Sequence, residues 1–306
     1  MDNLYRSRYP SPLNPMSSSH APQNFLGLEK KFSTYSKSKV VIIPAPFEAS
    51  TSYQQGTVNG PKSVIKASTQ VELYDIELDK SCHTVGIHTL PSLPIEKTPA
   101  EKAAKILYQE TKKVLKDNKW PVMIGGEHAI SYGFFKALLE KHPHLSIFHI
   151  DAHTDMRAAY EGNPYSHASI LYLMRQSCPR SVSIGVRSMC EEEAEYVKKN
   201  KVPVYYDYQI HKEGLNPKKL FHHLTHDVYL TIDVDGFSPE IIPSTGTPEP
   251  GGLKWYETLT VLKQLFKEKN VIGMDMVEHM PIPNVLYGDF SVAKLIYKCI
   301  GYKYYQ

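Results

Sequence analysis

The chain has 306 residues, 42% of them apolar and 22% charged, and a formal net charge of +3. That length holds one large α/β domain or two small ones. So small a charge excludes electrostatic capture by nucleic acid or an anionic membrane, and no Lys/Arg tract, acidic tail or heptad run points to either partner. Four scattered cysteines (Cys82, Cys178, Cys190 and Cys299), with no C-x-x-C pair among them, read as reduced thiols of a cytoplasmic protein. No apolar run approaches the ~18–20 residues of a membrane span. The N-terminus lacks the charged-then-apolar order of a secretion signal.

Residues 1–22 are rich in Pro, Ser and Asn and show no periodicity, which predicts an irregular arm packed on the surface or on a neighbouring subunit. From residue 23 onward, short β-rich runs alternate with helical patterns. Strands are predicted at Val40–Pro44, Trp120–Ile124, Leu145–Ile150, Val182–Gly185, Val202–Tyr205, Val228–Ile232 and Val271–Met274. Helices are predicted at Lys62–Ala67, Ala100–Lys116, Ile130–Lys141, Ala168–Arg175, Glu191–Asn200, Pro217–Leu224, Trp255–Glu268 and Ser291–Ile300. Within the second of these, Ala104, Ile106, Leu107 and Val114 gather on roughly one side. The alternation argues for a mostly parallel sheet with helices on both faces. No linker divides residues 23–306, so one catalytic domain is expected there. Ligands of such sheets gather beyond the carboxyl ends of the strands.

The strongest chemical signal lies in Phe148-His149-Ile150-Asp151-Ala152-His153-Thr154-Asp155. An apolar strand ends in three potential metal ligands two residues apart, which share one face at a spacing of about 6.5–7 Å in extended chain. Buried and unpaired, such charges are costly to desolvate, and a bound cation offsets that cost. The segment Leu230-Thr231-Ile232-Asp233-Val234-Asp235 repeats the pattern. One D-x-D is often a solvated loop, but two strand-end clusters in one chain point to metal. Met123-Ile124-Gly125-Gly126-Glu127-His128 adds an imidazole after a strand, with paired glycines that let the backbone turn sharply. Alone, His128 would read as a structural loop histidine, and its place one βα unit before the Asp151 cluster reverses that. His149 shares the face of Asp151 and reads equally as support for the site or as packed core. Four carboxylates and two imidazoles balance two divalent cations, and such a pair makes a nucleophile from water at neutral pH. Oxygen-rich ligation with some imidazole suits manganese, with zinc, cobalt and nickel left open by ligand type alone.

The motifs GGEHAIS, FHIDAHTDMR, YSHAS and TIDVDGFSPEIIPSTGTPEPGGL resemble, in order and spacing, the signatures of the ureohydrolases, that is, arginases, agmatinases and their relatives. The likeness runs from Ile43-Pro44-Ala45-Pro46-Phe47 to Met274-Asp275-Met276-Val277-Glu278 and spans roughly residues 22–300. It implies a three-layer α/β/α sandwich, two divalent ions (usually manganese) and a trimeric or hexameric assembly. It also implies that His128, Asp151, Asp155 and Asp233 hold one ion, and that Asp151, His153, Asp233 and Asp235 hold the other. Asp155 would pass the proton of the attacking hydroxide to the departing amine, His167 would be the proton-shuttle histidine, and Glu278 would pair with the guanidinium. Urea and an amine would be the products. The chain departs from the family at Ser238-Pro239, where Asp-Pro is common, and at His279-Met280-Pro281, where Val-Asn-Pro is common and the pocket wall would change.

Arginases usually carry Asn where Arg157 stands, and the segment Thr245–Gly252 is more similar to that of agmatinases, so arginine is disfavoured as substrate. Arg157 pointing into the pocket would favour a guanidino acid, whereas Arg157 paired with Glu161 or another acid would favour agmatine. Agmatine is the leading expectation, followed by guanidino acids, aminopropylated agmatine and arginine. A metal-binding family member without catalysis would show a degraded ligand set, and a fold-related deacetylase would need only one metal. The full motif set argues against both.

Overall fold

A computed structural model describes residues 23–306, and the predicted arm, residues 1–22, lies outside the described residues. Ten strands are present in chain order: β1 (Val40–Ala45), β2 (Tyr74–Asp75), β3 (Lys80–Ser81), β4 (Ile87–Thr89), β5 (Trp120–Gly125), β6 (Ser146–Ile150), β7 (Ser181–Val186), β8 (Val204–Tyr206), β9 (Asp227–Asp233) and β10 (Asn270–Val277). Eight of them form one parallel sheet in the order β4-β1-β5-β10-β9-β6-β7-β8, while β2 and β3 make a separate small hairpin.

The sheet is buried on both faces, and the period-2 alternation of its strands sorts side chains into two cores. Val40, Ile42, Val122, Ile124, Phe148 and Ile150 pack with Leu262, Leu265, Val292 and Ile296 of helices Trp255–Glu268 and Tyr287–Tyr305. Val41, Ile43, Met123 and Ile147 pack with Leu107, Phe134, Leu138 and Val197 of helices Ala100–Lys116, Ser131–Lys141 and Glu191–Asn200. This is the expected three-layer α/β/α sandwich. No helix of the described residues is long and apolar enough to cross a membrane.

Strand order sets where a site can form. The chain steps from β5 to β6 across a gap later filled by β10 and β9, so these four strands are neighbours in the order β5-β10-β9-β6. In register, Met276 lies beside Ile124 and Ile232, and Ile232 beside Ile150, so the four carboxyl ends finish almost level. Loops diverging from such a switch point leave a crevice. Gly126 opens the turn after β5 where the chain passes closest to its neighbour. A Cβ there would meet the carbonyl oxygen of Phe47 at 2.1 Å, too close for any side chain.

Several elements differ from the sequence-based expectation. β4, only three residues long, and helix Asp207–Glu213, which buries only Asp207 and Ile210, carry too little periodicity to register. Helix Tyr287–Tyr305 is longer than predicted at both ends. Its last turn is held by packing: Tyr302 is buried and donates to Glu77 at 2.8 Å. Tertiary contact outweighs the weak helix propensity of Gly and Tyr there. Gly126→Ala is expected to destabilise the protein by about 1–3 kcal/mol through overpacking against the segment of Phe47. A urea titration measures this, and an unchanged midpoint would contradict the close approach.

Candidate active site at the carboxyl edge of the sheet

The four central strands deliver the predicted residues to one place. His128 follows β5, Asp151, His153 and Asp155 follow β6, Asp233 and Asp235 end and follow β9, and Glu278 follows β10. Nδ1 of His128 lies 3.1 Å from Asp155 Oδ2 and 3.4 Å from both Asp151 Oδ2 and Asp233 Oδ2. Nδ1 of His153 lies 3.1 Å from Asp235 Oδ2 and 3.5 Å from Asp151 Oδ1. Ligand atoms fall into two overlapping clusters, His128/His149/Asp151/Asp155 and Asp151/His153/Asp235, with Asp151 common to both. Asp233 joins them through His128 and through its Oδ1, which accepts the amide of Asp235 at 2.9 Å.

Hydrogen bonding fixes which nitrogen of His128 faces this cluster. The Thr231 hydroxyl has one proton and donates it to Asp275 Oδ1 at 2.7 Å, so at 3.0 Å from His128 Nε2 it must accept. Nε2 therefore carries a proton, and Nδ1 points at three carboxylates. That buried nitrogen has no hydrogen-bond partner within the protein. A nitrogen converging with carboxylate oxygens in a dry pocket fits a positive charge between them, a second proton on the ring or a metal ion that replaces it. His149, read equally as core or support, is support: Nε2 is 2.9 Å from Asp151 Oδ2, Nδ1 is 3.1 Å from Ser183 Oγ, and its ring stacks on His128.

Charge at the cluster is out of balance without a cation. Burial, and then the charges of Asp235 and Asp151, push the carboxyl of Asp233 well above the usual range. Burial and Asp151 push up that of Asp155. Burial opposes a charge on His128, yet Asp151, Asp155 and Asp233 outweigh it and raise its pKa well above the ordinary value. Burial likewise opposes a charge on His153, and Asp235 and Asp151 raise it too. Burial and the neighbouring Glu127 push Glu278 up to about 8, with His167 opposing. These groups hold protons in place of positive ions.

Two of the carboxylates expected to act on substrate stand on left-handed backbone. Asp155 has φ 51° and Glu278 φ 60°, values that residues with a Cβ adopt at a cost and that gather at functional sites. Glu278 is held by its amide, which donates to Gly126 O at 2.8 Å, and by Oε1, which accepts the amide of His128 at 2.6 Å.

The residues expected to act on substrate line a cleft of about 300 Å³, at the small end for ligand pockets. Asp155, His167, Asp233, Asp235 and Glu278 face it together with Thr51–Gln54, Arg157 and Tyr160. Arg157 lines the cleft without pairing to Glu161: its Nε is 3.8 Å from Glu193, and its guanidinium lies over the ring of Tyr160. His279 does not line the cleft, since Nε2 bonds Asp289 at 2.7 Å.

Sequence reading missed three supports. Glu127, fully buried, accepts the amides of Ala49 and Ser50 at 2.6 and 2.8 Å and the Ser50 hydroxyl, and lies 3.5 Å from His167 Nδ1. Arg187 donates to the carbonyls of Asp235 at 2.7 Å and Glu249 at 3.0 Å, tying together two loops beside the cluster. Glu193 holds the Thr154–Met156 turn. The E-H pair at 127–128 was a signal for the first; nothing local marks the other two.

Four carboxylates and two imidazoles at the carboxyl edge of a parallel α/β sheet, beside a cleft with a buried glutamate, define a metal-dependent hydrolase of the ureohydrolase class. Comparison with known proteins agrees. The family model described as "Arginase family" matches residues 38–301, and the chain belongs to that family. It is 37% identical over 300 residues to an N(1)-aminopropylagmatine ureohydrolase of Synechocystis sp., covering 92% of this chain and 97% of that one. It is 34% identical to an agmatinase of Bacillus cereus, covering 83% and 87%. The fold is similar to that of an agmatine ureohydrolase of Thermoplasma volcanium (TM-score 0.84, 27% identity, 94% and 96% covered). It is also similar, in fold alone, to that of an arginase from Bacillus subtilis (TM-score 0.74, 24% identity, 86% and 99% covered).

Because His128, His153 and Asp233 are pushed well up and hold protons when no ion is bound, metal uptake must displace protons. Adding manganese to metal-free protein in weak buffer near pH 7 is expected to acidify the solution. Apparent affinity should rise with pH between about 6 and 8. Uptake that releases no protons and ignores pH would contradict the charge balance described.

Proposed function

We propose that this enzyme cleaves the guanidino C–N bond of agmatine, releasing urea and putrescine, with two manganese ions at the cluster. The convergence of His128 Nδ1 with three buried carboxylates is the observation that carries the reading. His128, Asp151, Asp155 and Asp233 would hold one ion, and Asp151, His153, Asp233 and Asp235 the other, with Asp151 and Asp233 shared. Oxygen-rich donors with imidazole and no thiolate favour manganese. When bound, the ions supply a water-derived nucleophile at neutral pH and orient it.

The protein's own groups do the rest. Glu278 binds the planar guanidinium, whose positive charge stabilises the ionised carboxylate that burial alone disfavours. Asp155, which lines the cleft beside Glu278 and His167, would take the proton of the nucleophile and pass it to the departing amine. His167 has Nδ1 directed toward Glu127 and Ser50, which leaves Nε2 for the leaving amine. Burial works against its charge, but Glu127, Glu278 and Asp155 raise its pKa, which suits an acid near neutral pH.

The carboxylate-lined cleft suits a substrate carrying a second positive charge. Arg157, engaged by Glu193 and Tyr160, is not a free counter-charge for a guanidino acid. The names of the Bacillus cereus and Synechocystis relatives support agmatine and its aminopropyl derivative. The aminopropyl compound is the second reading, favoured by the 37% identity over nearly the whole chain. The free cysteines support a reducing, cytoplasmic setting, and assembly into trimers or hexamers rests on family membership.

The deciding experiment incubates manganese-loaded protein with agmatine, N(1)-aminopropylagmatine, arginine, guanidinobutyrate, guanidinopropionate and guanidine, and measures urea. Agmatine should give the highest kcat/KM; a guanidino acid or arginine ahead of it would overturn the substrate assignment. Asp151→Ala and Asp233→Ala should each abolish urea release, and turnover above a few percent of wild type would contradict their shared role. Glu278→Gln should lower kcat/KM by about 2–4 kcal/mol, the scale of a charge-assisted bond lost in a closed site. An unchanged kcat/KM would refute its pairing with the guanidinium.

A further inference from the structure

Glu193 is 4% exposed, sits in the first turn of helix Glu191–Asn200 and belongs to none of the ligand motifs. Its two oxygens do different work. Oε2 accepts the amide of Cys190 at 2.9 Å, an ordinary helix cap, and lies 3.8 Å from Arg157 Nε. Oε1 accepts the hydroxyl of Thr154 at 2.6 Å and the amide of Met156 at 2.9 Å. Thr154 and Met156 are the two neighbours of Asp155, the residue at φ 51°. Returning Asp155 to right-handed or extended backbone would swing its neighbours apart and break at least one of these bonds, leaving a buried carboxylate under-bonded. The turn is also held from outside: the carbonyl of Asp155 accepts the Tyr172 amide at 3.0 Å, and the amide of Arg157 donates to Ala168 O, beside His167, at 3.1 Å.

We propose that Glu193 is a positioning residue for Asp155, a two-point clamp that holds the left-handed turn and so fixes where that carboxylate meets both metal and proton. The role rests on the functional reading above, in which Asp155 serves one ion together with His128. It differs from helix capping, which uses the other oxygen.

Thr154→Val removes one bond to Oε1 and leaves the cap in place, whereas Glu193→Gln sets an NH₂ against N–H or O–H donors at either the cap or the clamp, whichever way the amide sits. Manganese binding by calorimetry, melting temperature and steady-state kinetics with agmatine are compared for wild type, T154V, E193Q and T154S. In T154V, one ion should bind as in wild type and the other about 10–100-fold more weakly, with kcat lowered by a similar factor, while E193Q should lower the melting temperature as well. KM and melting temperature of T154V should change little, and T154S, which restores the hydroxyl, should recover the second ion and kcat. T154V with wild-type affinity for both ions and wild-type kcat would overturn the clamp. So would a loss of both ions together with a lowered melting temperature, which marks a structural cap. A wild-type protein that binds no manganese and releases no urea would instead overturn the functional reading itself, and is told apart by the wild-type arm.

Discussion

The structure turns on an excess of buried negative charge at the ends of four neighbouring strands. Asp151, Asp155, Asp233 and Asp235 are each at most 5% exposed, and Glu127 and Glu278 are buried beside them. Such a group of carboxylates cannot all ionise in a dry site, and the pKa directions say so: some move up sharply, Asp151 moves down, and the histidines between them hold protons. Protons are a poor substitute for divalent cations, because they do not fix geometry. The same charge that makes the empty cluster unfavourable makes it a strong metal site.

Around this charge the fold builds supports that are mostly neutral or already paired. Thr231 and Asp275 fix the tautomer of His128, with Tyr229 donating to Asp275 behind them. Ser183 and His149 brace Asp151, Arg187 knits carbonyls of neighbouring loops, Glu127 faces the ring of His167, and Glu193 holds the turn that carries Asp155. Apart from His149, two residues before Asp151 on the same segment, each support comes from a different strand or loop than the residue it holds. Partners of this kind typically matter nearly as much as the ligands themselves.

Most of the carboxylates and imidazoles that meet at the cluster were legible because strand geometry is local. Residues two apart on an extended chain share a face, so D-x-H-x-D and D-x-D could be read before any tertiary structure was known. The sheet and its helices were legible for a related reason, through short apolar runs in β5, β6 and β9 and a period-3.6 pattern in helix Ala100–Lys116. What stayed hidden depends on contacts far apart in sequence: Glu193 meets Thr154 across 39 residues, and His128 meets Thr231 across 103. The left-handed backbone of Asp155 and Glu278 was hidden as well, since neither residue type announces it. Arg157 shows the limit most clearly. Sequence posed the choice between an open pocket and a paired acid, and only the approach of Glu193 and Tyr160 answers it.

The central claim is that two ions bind between these side chains. Crystals of manganese-loaded protein, with diffraction recorded on both sides of the manganese absorption edge, test it directly. The account predicts two anomalous peaks, one beside Nδ1 of His128 and one beside Nδ1 of His153, with Asp151 and Asp233 reaching both. A single peak, or none between these residues, would contradict it.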